Sequence, residues 1–299
     1  MAAALATPDL VVHVGTRAPW SDRASAADGV LYRAKPGEPD PPIREAAWLA
    51  GRPGLRLLYG DGAEYCVRAD AREVWVTWPA SLAFEDAMVH FVGPVLGFIL
   101  RRLGVLTLHA SGAVIGAYAA AFCGESGAGK STLAAALAAV GHAALADDVL
   151  ALREVNSTMM AYPAYDHLRV WDDSANAIVG PGHDLPWLTP SWDKRAFTLS
   201  ALGYPIARAP APLGWIFLLA PRSRDDSAPR VEPLRAAEAF VPLVANTAAN
   251  YLLSPEMRAK EFALLARLLA CTPVLRLVPH EDPARLAELV SCVLETTGA

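Results

Sequence analysis

CGESGAGKSTLAAALAAVG, residues 123–141, is the stretch on which the reading of this chain turns. Gly124 and Gly129 bracket four residues and lead directly into Lys130 and Ser131, the spacing of a phosphate loop. The glycines let the backbone curl so that successive N–H groups point at one anion. Residues Gly124, Glu125, Ser126, Gly127, Ala128 and Gly129 form the cradle, continued by Lys130, Ser131 and Thr132. Lys130 would reach the terminal phosphates, and the Ser131 hydroxyl would ligate magnesium. A helix predicted over Ser131–Val140 puts its positive end beneath the anion. Leu133, Leu137 and Val140 fall on one face of it, and Gly141 supplies the stop. The chain holds only four lysines, so a chance match to this pattern is remote.

A phosphate loop does not choose a reaction. The next informative residues are Asp147 and Asp148, at the end of the apolar run AALA. Carboxylates after a buried strand beside such a loop are hard oxygen donors where magnesium needs them. Two adjacent acids could also divide the labour, one holding metal and one accepting a proton from an incoming hydroxyl. His109, in LTLHAS, sits on a predicted strand that could run beside the loop. Alone it would read as a core histidine; its interest comes from those neighbours.

Composition narrows the class. Hydrophobic residues make up 54% of 299 and the net charge is −5, the profile of a globular protein. Acids outnumber bases 31 to 26 without a dense basic run, so no nucleic-acid partner is expected. The N-terminus lacks a basic segment followed by a sustained apolar core, so no signal peptide is read. The run GVLTLHASGAVIGAYAAAFCG is long enough to suggest a membrane span, but His109, Ser111 and glycines divide it into strands. Cys66, Cys123, Cys271 and Cys292 lack metal-ligand spacing and read as reduced, mostly buried thiols of a cytoplasmic protein.

Along the chain, GLRLLYGDGAEYCVRADAREVWVTW offers short antiparallel strands, and RAKPGEPDPPIREA an exposed loop. FEDAMVHFVGPVLGFILRR predicts a helix interrupted at Pro94, with acids first and arginines last. Strands VLTLH, GAVIG and YAAAFC precede the loop, and AALADDVLAL predicts one strand with both acids in its middle. PLGWIFLLAP and TPVLRLVPH are later strands. Helices are predicted after the Ser254 cap and after the Asp282 cap.

LHAS, GESGAGKS and GHAALADD, in that order, resemble the HPr kinase/phosphorylase family. The resemblance extends more weakly over about residues 90–290, through PLGWIFLLAP and TPVLRLVPHEDPARLAELV. It implies an α/β fold, a P-loop core of the HPr kinase and phosphoenolpyruvate carboxykinase type, with a small N-terminal α+β region. Residues 1–83 would be the strand-rich N-terminal region and 84–299 the kinase domain. It further implies ATP and Mg2+ as cofactors and transfer of the γ-phosphate to a serine of a protein or peptide. On this chain Asp147 would be the base, Asp148 would assist Ser131 with the metal, and His109 would hydrogen-bond the base. Ser126 would lie near the terminal phosphate.

The chain departs from the family at Thr132, where members carry Glu. It also lacks the Glu-Ile-Arg-Gly signature linked to the reverse reaction, which implies transfer without phosphorylase activity. Its YPAYDHLRVW is similar instead to divergent relatives of peptide natural-product clusters, some of which phosphorylate a lasso peptide precursor. A small-molecule kinase and a non-catalytic nucleotide sensor remain alternatives, and a homo-oligomer is compatible with the sequence. Lys194 and Arg195 read as a loop pair or as cations for transferred charge, and Asp172 and Asp173 as a turn or as replacement metal oxygens. Trp171, Trp187 and Trp192 read first as core and second as a peptide platform.

Overall fold

Residues 8–21, 27–35 and 43–299 are described by the computed structural model, a mixed α/β protein with several sheets. Residues 36–42 of the proline-rich segment expected to be a loop lie outside that range. The chain divides into two compact units, 1–104 with 251–257, and 105–250 with 258–299.

The first unit is built on one six-stranded sheet. Its strands are β1 (Val11–Val14), β2 (Ala27–Arg33), β3 (Ile43–Leu49), β4 (Gly54–Tyr59), β5 (Glu64–Arg68) and β6 (Glu73–Thr77). They lie in the order β1-β6-β5-β4-β3-β2, antiparallel except for the β1–β6 pair. Alternation sets the buried face: Leu57, Tyr65 and Val76 stand opposite one another across three strands, each fully buried. Helices α1 (Phe84–His90) and α2 (Leu96–Arg102) follow, joined by a wide turn at Phe91–Val95 that contains Pro94, as the proline requires. These helices belong to the first unit, where the sequence reading had opened the second domain. The Tyr65 hydroxyl donates to the Ala87 carbonyl at 2.6 Å, and Arg102 donates to the Ala69 carbonyl at 2.7 Å.

The second unit holds nine strands in one sheet and three in another. β7 (Leu106–Leu108), β8 (Ala110–Ile115) and β9 (Tyr118–Cys123) lead into α3 (Lys130–Ala139), then β10 (Ala143–Ala146), β11 (Leu150–Val155) and β12 (Thr158–Ala161). β13 (His167–Trp171), α4 (Asp172–Val179), β14 (Trp187–Thr189) and β15 (Trp192–Thr198) come next, with the three strands forming the smaller sheet. β16 (Ala211–Leu219), β17 (Arg230–Pro233), α5 (Ala236–Ala245), α6 (Pro255–Cys271), β18 (Val274–Val278) and α7 (Leu286–Thr297) complete it. β9, β16 and β18 run parallel side by side, so the loop after β9 leaves the carboxyl end of a parallel core. β16 is apolar on both faces because both are covered. Phe217 and Leu219 face the layer of α3 and α7, while Ile216 and Leu218 face that of α5 and α6.

Three expectations are corrected. AALADDVLAL is two strands, not one: β10 and β11 are separated by a tight turn in which Val149 N–H donates to the Asp147 carbonyl at 2.7 Å. Two of the four cysteines are buried, Cys66 and Cys123, whereas Cys271 is exposed and Cys292 half-buried. Val140 is 58% exposed, although Leu133 and Leu137 are fully buried. Residues from Leu133 to Ala138 are all buried, so α3 has no single apolar face, and Val140 lies at the cap beyond it. Among the described residues no helix is long and apolar enough to cross a membrane.

Chemical denaturation should separate the two α3 positions. Leu137→Ala is expected to cost about 2–5 kcal/mol through lost burial and a cavity. Val140→Ala should stay within about 0.5 kcal/mol of wild type.

Candidate active site

The backbone between β9 and α3 curls as glycine permits, with φ of 81° at Gly127 and 101° at Gly129. Glu125, Ser126 and Gly127 are exposed at the top of the curl. Lys130 is only 6% exposed and folds back over the loop. Its Nζ donates to the Gly124 carbonyl at 2.8 Å and the Glu125 carbonyl at 3.0 Å. Burial pushes the Lys130 pKa down, while Asp148, Cys123 and Asp147 push it up.

Asp147 has no exposed surface and anchors the cluster. Its Oδ1 accepts from Ser111 Oγ at 2.6 Å and Ser131 Oγ at 2.7 Å, and its Oδ2 from the Arg169 N–H at 2.8 Å. The Tyr165 hydroxyl donates to its backbone carbonyl at 3.0 Å. Burial raises the Asp147 pKa and Asp148 adds to the shift, while Ser111, the Arg169 N–H and Ser131 oppose it.

Asp148 takes a left-handed conformation with φ of 60°, which aspartate tolerates better than most residues. Its Oδ2 is held by the guanidinium of Arg169, a residue 3% exposed whose Nη2 also reaches the Tyr165 hydroxyl at 3.2 Å. The backbone of Asp148 hydrogen-bonds the ring of His109. Burial lowers the His109 pKa and the charge of Lys130 lowers it further, while Asp148 opposes the shift.

The structure therefore brings His109, Lys130, Ser131, Asp147 and Asp148 together behind the loop. Thr132 turns elsewhere, its hydroxyl donating to Ser174 Oγ at 2.8 Å. Asp172, considered for the metal, is engaged by Arg195 Nε at 2.6 Å. Lys194 and Arg195 are not a loop pair: both lie on β15, Lys194 5.2 Å from the Trp171 ring and Arg195 3.4 Å from that of Trp187. Trp171 and Trp187 are not core but about half exposed, at 46% and 52%. The charge of Lys194 is felt at both His109 and Lys130.

Sequence reasoning missed Ser111, Tyr165, Arg169 and Asn246. The one signal was an arginine amid apolar residues in HLRVW, since a charge on a buried strand must have a partner. Asn246 Oδ1 accepts the Gly124 N–H at 2.8 Å. Arg222 was missed as well; its Nη2 lies 3.9 Å from where a side chain on Gly129 would begin.

A magnesium ion bound with a polyphosphate needs only one or two protein oxygens. The Ser131 hydroxyl and Asp147 carboxylate, 2.7 Å apart beside the loop, are of that chemistry. Among the described residues no group of three or more His, Cys, Asp or Glu gathers to cage a metal by itself.

No family model matches the chain, and no curated protein sequence does. Among solved structures it is similar to the Hpr(Ser) kinase/phosphatase from Coxiella burnetii, at 15% identity and a TM-score of 0.34. The match covers 64% of this chain and 93% of that one. A likeness that loose carries no chemistry with it.

The buried His109 makes a pH prediction. A histidine whose folded pKa is lowered contributes stability that is present above its unfolded pKa and lost as pH falls through the folded one. Wild type should thus lose Tm on acidification below about pH 6.5. His109→Gln should lose less over the same range; parallel Tm curves for the two would contradict the assignment.

Proposed function

We propose that this chain is an ATP-dependent kinase that transfers a γ-phosphate to a hydroxyl. The observation that carries the reading is the Ser131–Asp147 hydrogen bond beside a glycine loop capped by a buried lysine. A loop that only sensed nucleotide would need no second carboxylate, yet Asp148 is held by Arg169 next to a buried His109.

The two acids take roles opposite to those first assigned. Asp147 has no exposed surface and three donors on its oxygens, so it cannot meet an incoming hydroxyl; it acts on the metal side through Ser131, whose hydroxyl it holds and orients. Asp148 is 21% exposed at its side chain and has one oxygen, Oδ2, engaged by Arg169. Its Oδ1 is the atom that accepts the proton of the acceptor hydroxyl. Arg169 fixes the orientation of that carboxylate, and His109 holds the turn through the Asp148 backbone. Loop N–H groups and Lys130 bind the phosphates, Lys130 exchanging the carbonyls of Gly124 and Glu125 for phosphate oxygens. When bound, Mg2+ would be held by the Ser131 hydroxyl that Asp147 orients, and would neutralise phosphate charge. Positioning and charge then carry most of the rate.

For the acceptor we propose a serine of a protein or peptide, with a lasso peptide precursor as the leading candidate. Support for this comes from the likeness of YPAYDHLRVW to peptide-modifying relatives, and not from the geometry. Absence of the family signature supports transfer without the reverse reaction.

The test is Mg2+ and γ-labelled ATP in an extract of the source cells. Asp148→Asn should reduce labelling of the acceptor by about 10²–10⁴-fold, with MgATP affinity within a few-fold of wild type. Ser131→Ala should weaken MgATP binding itself. Undiminished transfer by Asp148→Asn would remove it as the base. Label appearing only in a small molecule would replace the peptide acceptor with a metabolite.

A further inference from the structure

Asn246 closes α5, and each of its polar groups is committed. Its N–H donates to the carbonyls of Pro242 at 3.1 Å and Leu243 at 3.0 Å, which ends the helix. Its Nδ2 donates to the same Pro242 carbonyl at 2.9 Å, so the side-chain amide has one orientation, with Oδ1 turned away from the helix. That oxygen accepts the Gly124 N–H at 2.8 Å, and the backbone carbonyl of Asn246 accepts the His109 N–H at 2.7 Å. One residue therefore holds both the first loop glycine and the site histidine. The next two residues extend the attachment, Thr247 bridging to Leu108 and Ala248 N–H donating to the Thr107 carbonyl at 3.0 Å.

Gly124 has little other freedom. A Cβ there would lie 3.1 Å from Leu219 Cβ, 3.2 Å from Ala128 Cβ and 3.3 Å from the Leu219 carbonyl. At the loop entry Asn246 thus holds the Gly124 N–H and Lys130 Nζ holds its carbonyl. Phosphate draws Lys130 away from that carbonyl, and the Asn246 bond is then the polar tether that stays.

We infer that Asn246 is a positioning residue for nucleotide: it keeps the loop entry curled when Lys130 turns to phosphate, and keeps His109 in register with the loop. The inference rests on the reading of the loop as a nucleotide site. Because it acts at the first glycine and not at the terminal phosphate, it serves diphosphate and triphosphate alike.

The experiment uses the full chain, with calorimetric titration of MgADP and MgATP and amide exchange at Gly124 and His109. Asn246→Ala should weaken both nucleotides about five- to tenfold, as loss of one well-placed hydrogen bond does, and speed exchange at Gly124. Asn246→Asp retains the acceptor oxygen, so exchange at Gly124 should stay slow. Its new charge beside the loop should nonetheless weaken MgATP more than MgADP, with salt reducing the loss. Wild-type nucleotide affinity in Asn246→Ala, or unchanged exchange at Gly124, overturns the inference. If the alanine variant does not fold, the aspartate variant decides: fast Gly124 exchange or salt-independent, undiminished affinity overturns it. A wild type that binds neither nucleotide overturns the kinase reading, while the exchange measurement still judges whether Asn246 holds the loop.

Discussion

Everything at the site depends on one carboxylate that water does not reach. Asp147 sits in the turn between β10 and β11, and its oxygens gather Ser111 from β8, Ser131 from α3 and the Arg169 N–H from β13. Two strands, the helix after the loop and the β10–β11 turn are thereby tied at a single point. Burying a carboxylate costs several kcal/mol unless donors surround it. Here each donor offsets part of that cost, since hydrogen bonds to a charged group contribute about 1.5–3 kcal/mol. The balance explains why its pKa is raised despite three partners, and why removing a single donor would be felt by the other elements.

The turn at Asp147–Asp148 also separates two side chains that are adjacent in sequence. On a regular strand they would point to opposite faces. The left-handed φ at Asp148 instead brings its carboxylate to the guanidinium of Arg169, whose own N–H binds Asp147. Arg169 consequently serves both acids with different groups: backbone for the buried one, side chain for the accessible one. An uncharged residue at 169 could keep the first bond and lose the second. The two acids are thus distinguished by their surroundings, one buried among three donors and one accessible beside a guanidinium.

This is where the sequence stopped being legible. The loop from Gly124 to Ser131 was readable because its chemistry is local: glycine freedom, lysine reach and a hydroxyl one helical step on. Asp147, Asp148 and His109 could be grouped by their order along the chain, and the structure places them near one another. Their partners were not, because Ser111, Arg169 and Asn246 arrive from strands and a helix end far off in sequence, and each residue type has many commoner uses. Val140 misled for another reason. The 3.6-residue pattern locates a face only when one face is exposed, and α3 is buried nearly all round. Trp171 and Trp187 were assigned to the core because large aromatics usually are; instead they carry Lys194 and Arg195 on the strand beside them.

At rest the interior of the site is close to neutral, with Lys130 and Arg169 set against Asp147 and Asp148. On the proposed kinase reading a bound polyphosphate would add several negative charges at once, more than the interior pair could offset without giving up the acids. On that reading the further positive charge would come from the rim and from the proposed Mg2+. Lys194 already exerts its field on both His109 and Lys130, and Arg222 lies against the last loop glycine. Arg222 is exposed and Lys194 is half-buried beside the Trp171 ring, so neither cation is sealed from solvent. The arrangement places fixed, desolvated groups where orientation matters and solvent-accessible cations at the rim, where charge alone would be required.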